Sequence, residues 1–168
     1  MQLMQPEKFL FEDDGVIPNS KYPLLLYPQV FSERGTRGAD WLEAKFAENN
    51  WTNVWRWGVY PFHHYHSNIH EVLGVFRGSA RLQLDGEKGQ AVNVQAGDVI
   101  VIPAGVGHKC ISHSSDFTVV GAYPNGLNPD LNKGEKNERP QADINIAAVL
   151  LPATDPLWGK QGGLLTNW

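Results

Sequence analysis

Four of the six histidines fall within the eight residues His63-His64-Tyr65-His66-Ser67-Asn68-Ile69-His70, and Glu71 follows at once. On an extended strand side chains alternate between faces, so His64 and His66 project from the same side. Two imidazoles on one face can meet one metal ion at about 2 Å each. Glu71 opens the next apolar alternation and can add an oxygen from an adjacent strand. A fourth donor has to come from elsewhere, and His108 stands just beyond the turn Pro103-Ala-Gly-Val-Gly107. His70 and Glu71 are neighbours on one strand, so only one of them can enter with His64 and His66. His63 and Tyr65 alternate outward and read as surface or interface groups, and His113 reads as exposed.

Parity extends this site into a pocket. Leu73 and Val75 share the face of Glu71, and Cys110 shares that of His108. The Cys110 thiol is either a small hydrophobe filling the interior or a pocket group near the metal. Arg56 and Tyr60 share the parity of His64 if no bulge intervenes at Pro61, and an inward Arg56 would serve an anionic substrate or a structural pair. Tyr60, Leu73, Val75 and Cys110 are therefore the candidate substrate-pocket residues. Three neutral imidazoles and a carboxylate suit one divalent transition metal: Fe, Mn, Ni, Co or Zn. Such an ion acts as Lewis acid and template for a bidentate substrate, or for substrate plus dioxygen, while Glu71 stays ligated or doubles as a base.

The elements that must position these groups are strands. Seventeen glycines and eleven prolines punctuate the chain, and aromatics reach 11%. Short apolar alternations between such breakers describe a β-sandwich or barrel. Strands are expected over 54–60, 71–77, 80–86, 91–95, 99–102 and 117–123. Residues 38–49 carry the one convincing helix, with Leu42 and Phe46 spaced i, i+4. Tyr22–Tyr27, bounded by Pro23 and Pro28, reads as an edge strand or a packed extended arm. Trp51, Trp55 and Trp57 read as packed between barrel and helix.

The expected organisation is one domain. Residues 1–50 form an arm and a helix packed on the outside, and 51–124 form the barrel core. Residues 125–143 form a polar loop, either mobile or a functional flap, and 144–168 a final apolar strand and tail.

Composition narrows the partners. A chain of 168 residues with 42% apolar content builds one real core. Net charge −4 and pI near 5.8 argue against nucleic acid as a partner. No stretch approaches the roughly 18 apolar residues that span a bilayer. The N-terminus lacks a secretory pattern, and the single Cys110 forms no internal disulfide, so a cytoplasmic location is expected. Apolar segments at 22–27 and 144–151 point to a homodimer.

Two spaced motifs carry a resemblance. Gly58, His64, His66, Glu71 and Gly78 fall at every fixed position of the first motif of the cupin superfamily. Gly97, Pro103, Gly105 and His108 resemble the second motif, with Ser112 where that motif usually ends in Asn. The resemblance implies an all-β jelly-roll barrel with the metal near its open end, held by His64, His66, Glu71 and His108. The gap from Glu71 to Gly78 favours the carboxylate over His70, which a shorter-spaced variant would use. Phe11-Glu-Asp-Asp-Gly-Val-Ile-Pro18 and Asp155-Pro156 look like a bacterial group of stand-alone cupins without an assigned activity. The function expected on this basis is a metal-dependent enzyme of oxygenase or isomerase type, acting on a small polar molecule. A non-catalytic small-molecule-binding or sensing module is the alternative.

Overall fold

The computed structural model describes residues 3–168. Two antiparallel sheets face one another. The larger is built from β1 (Glu7–Phe11), β2 (Ser20–Tyr27), β3 (Trp51–Trp57), β4 (Glu71–Arg77), β7 (Val99–Ile102) and β9 (Thr118–Pro124), in the order β1-β2-β7-β4-β9-β3. The smaller is β6-β5-β8, from β5 (Ser79–Leu84), β6 (Gln90–Gln95) and β8 (His108–His113). This is the expected jelly-roll barrel with α1 (Gly35–Glu48) on its outer face.

The burial of β4 shows why the sheet has two cores. All its residues but Arg77 are buried, the mark of a strand covered on both faces. Leu73 and Val75 meet Leu82, Leu84 and Cys110 of the smaller sheet inside the barrel. Val72 and Phe76 face outward onto Leu42 and Phe46 of α1. The helix presents Gly38, Ala39, Leu42 and Phe46 as one buried stripe at helical spacing. Of the motif glycines, Gly78, Gly97 and Gly105 take positive φ, whereas Gly58 does not.

Three expectations need correction. Tyr22–Tyr27 is packed and extended but is not an edge: β2 lies between β1 and β7, and Leu24, Leu25, Leu26 and Tyr27 are buried. Pro23 is tolerated because the β2–β7 ladder pairs only Leu25–Tyr27. The final apolar segment is not a strand. Residues Gln141–Ala148 form helix α2, which buries Ala142 and packs the half-buried Ile146, at i, i+4, against Ile17 and Tyr65. Its outer side carries Arg139–Asp143 and Gln141–Asn145 pairs, also at i, i+4. Polar residues at 143 and 145 thus fit a helix of period 3.6, and an alternating strand would leave them nowhere to go. Finally, Asn53 sits at φ 61 in a bulge of β3. Beyond it Trp55 faces inward and Arg56 outward, where Arg56 meets Asp40 and Glu43 of α1 at 2.8 and 2.7 Å.

The polar stretch 125–143 folds back on the barrel mouth. Asn132 forms a β-bridge with Tyr65, and Asp130 accepts hydrogen bonds from Ser67. The chain ends in α3 (Leu164–Asn167), docked on β2, with Trp168 stacked on Tyr22 at 5.6 Å. Among the described residues no helix is long and apolar enough to cross a membrane.

Candidate metal centre

His64 and His108 are cross-strand partners, exchanging backbone hydrogen bonds of 3.2 and 3.0 Å. That pairing places their rings side by side, with centroids 4.0 Å apart. His66, two residues along, points to the same side, and Glu71 reaches in from the start of β4. One ligand atom from each of His64, His66 and His108 lies within 4.8 Å of the others, a group that can hold a metal ion. The Glu71 carboxylate bridges two of them, with Oε2 3.3 Å from His66 Nε2 and Oε1 3.4 Å from His108 Nε2. Donors about 2.1 Å from a shared ion stand roughly 3 Å apart, so these separations fit one cation.

The imidazoles are oriented by the backbone. His64 Nδ1 faces the Phe62 carbonyl at 3.0 Å, His108 Nδ1 that of Val106 at 3.1 Å, and His66 Nδ1 that of Asp130. A carbonyl only accepts, so each Nδ1 carries the proton and each Nε2 presents a lone pair to the centre. Metal-binding histidines are characteristically held this way.

Electrostatics agree. Burial drives His64 down to about 3, with the neighbouring His108 ring acting in the same direction, which keeps it neutral. Burial pushes His66 down as well, but the Glu71 carboxylate beside it outweighs that, and its pKa ends up raised. Burial acts to raise Glu71, yet His66 and His108 hold its carboxyl well below the usual range. The net field between them favours positive charge.

The four groups sit in the wall of a cavity of ≈ 290 Å³ that is also lined by Trp55, Trp57, Tyr60, Leu73, Tyr123 and Leu131. Of the candidate pocket residues, Tyr60 and Leu73 are there. Val75 and Cys110 are not: both are buried in the barrel core. Val75 is four residues past Glu71, about 13 Å further along the strand, and Cys110 is two past His108. Cys110 is thus a core filler whose thiol burial pushes up in pKa. Tyr65, expected outward, is fully buried under the 125–143 segment, its hydroxyl 3.2 Å from Glu138. His63 is half-buried and meets Glu87 at 2.9 Å. His70 points away from the centre: its Nδ1 accepts from Ala104 N at 2.9 Å, and Nε2 faces the Leu150 carbonyl.

Sequence reasoning missed Tyr123 and Asp130. The Tyr123 hydroxyl accepts from Trp55 Nε1 at 2.8 Å and faces Glu71, while burial and the Glu71 charge hold the phenol neutral. Trp55 fits there because Gly121 opposes it: a Cβ on Gly121 would stand 2.2 Å from the indole. The alternation Val119, Gly121, Tyr123 along β9 was the available signal. Asp130 acts through its backbone carbonyl, which no residue type announces.

A family model for the cupin domain matches residues 58–120, and the barrel with its clustered histidines is the architecture that family name denotes. The chain belongs to the cupin superfamily. It is 45% identical over 165 residues to the uncharacterized protein YjlB of Bacillus subtilis (strain 168), covering 98% of this chain and 97% of that protein. Among solved structures, Bacillus subtilis oxalate decarboxylase, studied for its Mn(II) centres, shares 17% identity over 77% of this chain with a TM-score of 0.37. Vicilin from Solanum lycopersicum shares 18% over 68%, with a TM-score of 0.42. This chain spans 30% of the length of each of those two proteins.

Proposed function

We propose that the chain is a divalent-metal-dependent enzyme of oxygenase or isomerase type acting on a small polar molecule, with His64, His66, Glu71 and His108 as the ligands of one transition metal. The observation that supports this most is the convergence of three carbonyl-fixed imidazoles and a buried carboxylate on one wall of a cavity. A dication held there supplies Lewis acidity and coordination positions for a chelating substrate. The protein does the rest. The Asp130 carbonyl holds His66 in its tautomer, Tyr123 presents a neutral hydroxyl beside Glu71, and Trp55 and Tyr60 give the reacting end an aromatic wall. A cytoplasmic homodimer goes with this reading. The exposed edge β1 and the exposed Leu150 and Leu151 offer the contact, in place of Tyr22–Tyr27.

Elemental analysis tests the assignment. Purified protein is expected to carry about one transition metal per chain and the His64→Ala/His66→Ala double variant almost none, with oxygen uptake against small acids, sugars and thiols separating the reaction types. Full metal content in the folded double variant overturns the ligand set. Stoichiometric metal without turnover of any substrate leaves a binding or sensing module instead.

A further inference from the structure

The cavity wall has a one-sided composition that bears on what enters it. Apart from the three histidines, its charged residues are Glu71 and Asp130, both acidic. Among the described residues, no lysine or arginine lines it. Of the cations whose sequence parity pointed inward, Arg56 pairs with Asp40 and Glu43 of α1 and Arg77 is exposed at the end of β4. Lys133 stands 5.0 Å over the ring of Phe62, outside the lining. The remaining wall is Trp55, Trp57, Val59, Tyr60, Leu73, Pro129 and Leu131, with Tyr123.

The aromatic part is built as a corner. Trp57 meets Tyr60 edge-on at 5.7 Å, and Tyr60 meets the His64 ring edge-on at 5.1 Å. Two of its polar side chains are already engaged: Trp55 Nε1 donates to Tyr123, and the Asp130 carboxylate accepts from the Ser67 amide and hydroxyl. A polyol has more hydroxyls than this mostly apolar wall can partner, and each one buried without a partner weakens binding. A second carboxylate or a phosphate would meet two acidic side chains and no cation. At ≈ 290 Å³ the cavity lies at the lower end of the roughly 300–1,000 Å³ of small-ligand sites, enough for one ring with short substituents.

From this we infer that the substrate is a small molecule with a metal-chelating oxygen pair at one end and a compact, flat, apolar body at the other, carrying at most one negative charge. The inference rests on the metal reading proposed above and narrows it: the polar part of the substrate is its head alone. The head meets the ion, and the body lies against Trp57, Tyr60 and Leu73.

Two chelators of different shape test it on protein first loaded with Co(II) and checked for metal by elemental analysis. Tropolone is a singly charged chelator on a flat apolar ring; oxalate is a doubly charged one with no body. Each affinity, read from quenching of tryptophan fluorescence and by calorimetry, is divided by the same probe's affinity for free Co(II). Tropolone is expected to exceed oxalate by about tenfold or more on this scale, and Trp57→Ala to remove most of that preference without changing the oxalate value. Equal normalised affinities, or a preference for oxalate, overturn the inference while leaving the metal reading standing. A preference that survives in both Trp57→Ala and Leu73→Ala overturns the assigned wall. Failure of the protein to retain Co(II) removes the metal reading itself, and elemental analysis registers that before any probe is added.

Discussion

Glu71 and Asp155 are both carboxylates buried almost completely, at 3% and 0% exposure, and they are satisfied in opposite ways. Asp155 accepts from the Tyr27 hydroxyl at 2.6 Å and from the amides of Leu157, Trp158 and Leu164 at 2.7, 3.1 and 3.1 Å. Those donors are fixed by covalent structure and need no proton or ion. Its charge holds the C-terminal segment against β2, where burial and that same charge push the Tyr27 phenol upward in pKa. Glu71 has no backbone amide. It faces imidazole Nε2 atoms whose Nδ1 protons are already committed to carbonyls, together with the Tyr123 hydroxyl. A carboxylate surrounded by permanent donors is part of the scaffold, and one surrounded by lone pairs is half of a cation site.

The largest effect expected from this contrast is at Asp155. Asp155→Ala leaves the buried amides of Leu157 and Leu164, the half-buried amide of Trp158 and the Tyr27 hydroxyl without an acceptor, each buried group worth about 1–3 kcal/mol, so a loss of about 3 kcal/mol or more in urea unfolding is expected. Metal content per folded chain should not change. A stable variant with reduced metal would reverse the roles assigned to the two carboxylates.

Glu71→Gln should do the opposite. Gln keeps the shape and can donate to the imidazole lone pairs, so metal-free stability is expected to move by about 1 kcal/mol or less. Metal affinity should fall by about tenfold to a hundredfold, read by competition with a coloured chelator. His70→Ala is the control. His70 lies next to Glu71 but caps the Ala104 amide and packs on Trp168, so its loss should lower stability and spare the metal. If His70→Ala strips the metal and Glu71→Gln does not, then His70 and not Glu71 faces the barrel interior, and the register of β4 shifts by one residue.

Much of this is legible in the residues, for identifiable reasons. The bounds of β4 and β7 follow from unbroken apolar runs closed by Gly78 and by Gly97 and Pro103. The clustering of His64, His66 and His108 follows from strand parity and the two motifs. Parity fails where the strand stops: β3 ends at Trp57, so counting back from His64 across residues 58–63 puts Arg56 inward, whereas Trp55 lines the cavity and Arg56 meets α1. Apolar content misleads at 144–151, where it suggests a strand although Ala142 and Ile146 carry the helical spacing. Cys110 and Val75 have the right parity and the wrong depth, because parity states a face and not a position along it. The link from Asp130 to His66 runs through a main-chain oxygen, and only the folded path of residues 125–138 reveals it.

A third carboxylate, Asp13, sets the scale for the other two, since it is paired but exposed. Arg139 binds it through both terminal nitrogens and also holds Asp143, tying α2 to the turn after β1. The Arg139 hydrogen bonds outweigh a smaller upward push from burial, and with the Gly15 amide and the Arg139 charge they lower the Asp13 pKa below its ordinary 3.8. A carboxyl with a depressed folded-state pKa adds stability above the unfolded value and loses it as pH falls through the folded one. Asp13→Asn is therefore expected to cost less than about 1 kcal/mol near neutral pH, because solvent screens a half-exposed pair. The difference from the parent chain should shrink in high salt and fade as pH drops below the ordinary 3.8 and through the depressed folded-state value, beyond which both chains carry an uncharged side chain. Parallel urea titrations of the two proteins at several pH values measure this. A cost at neutral pH equal to that of Asp155→Ala would mean that exposure does not separate these carboxylates, and that the amides around Asp155 contribute no more than one surface arginine does.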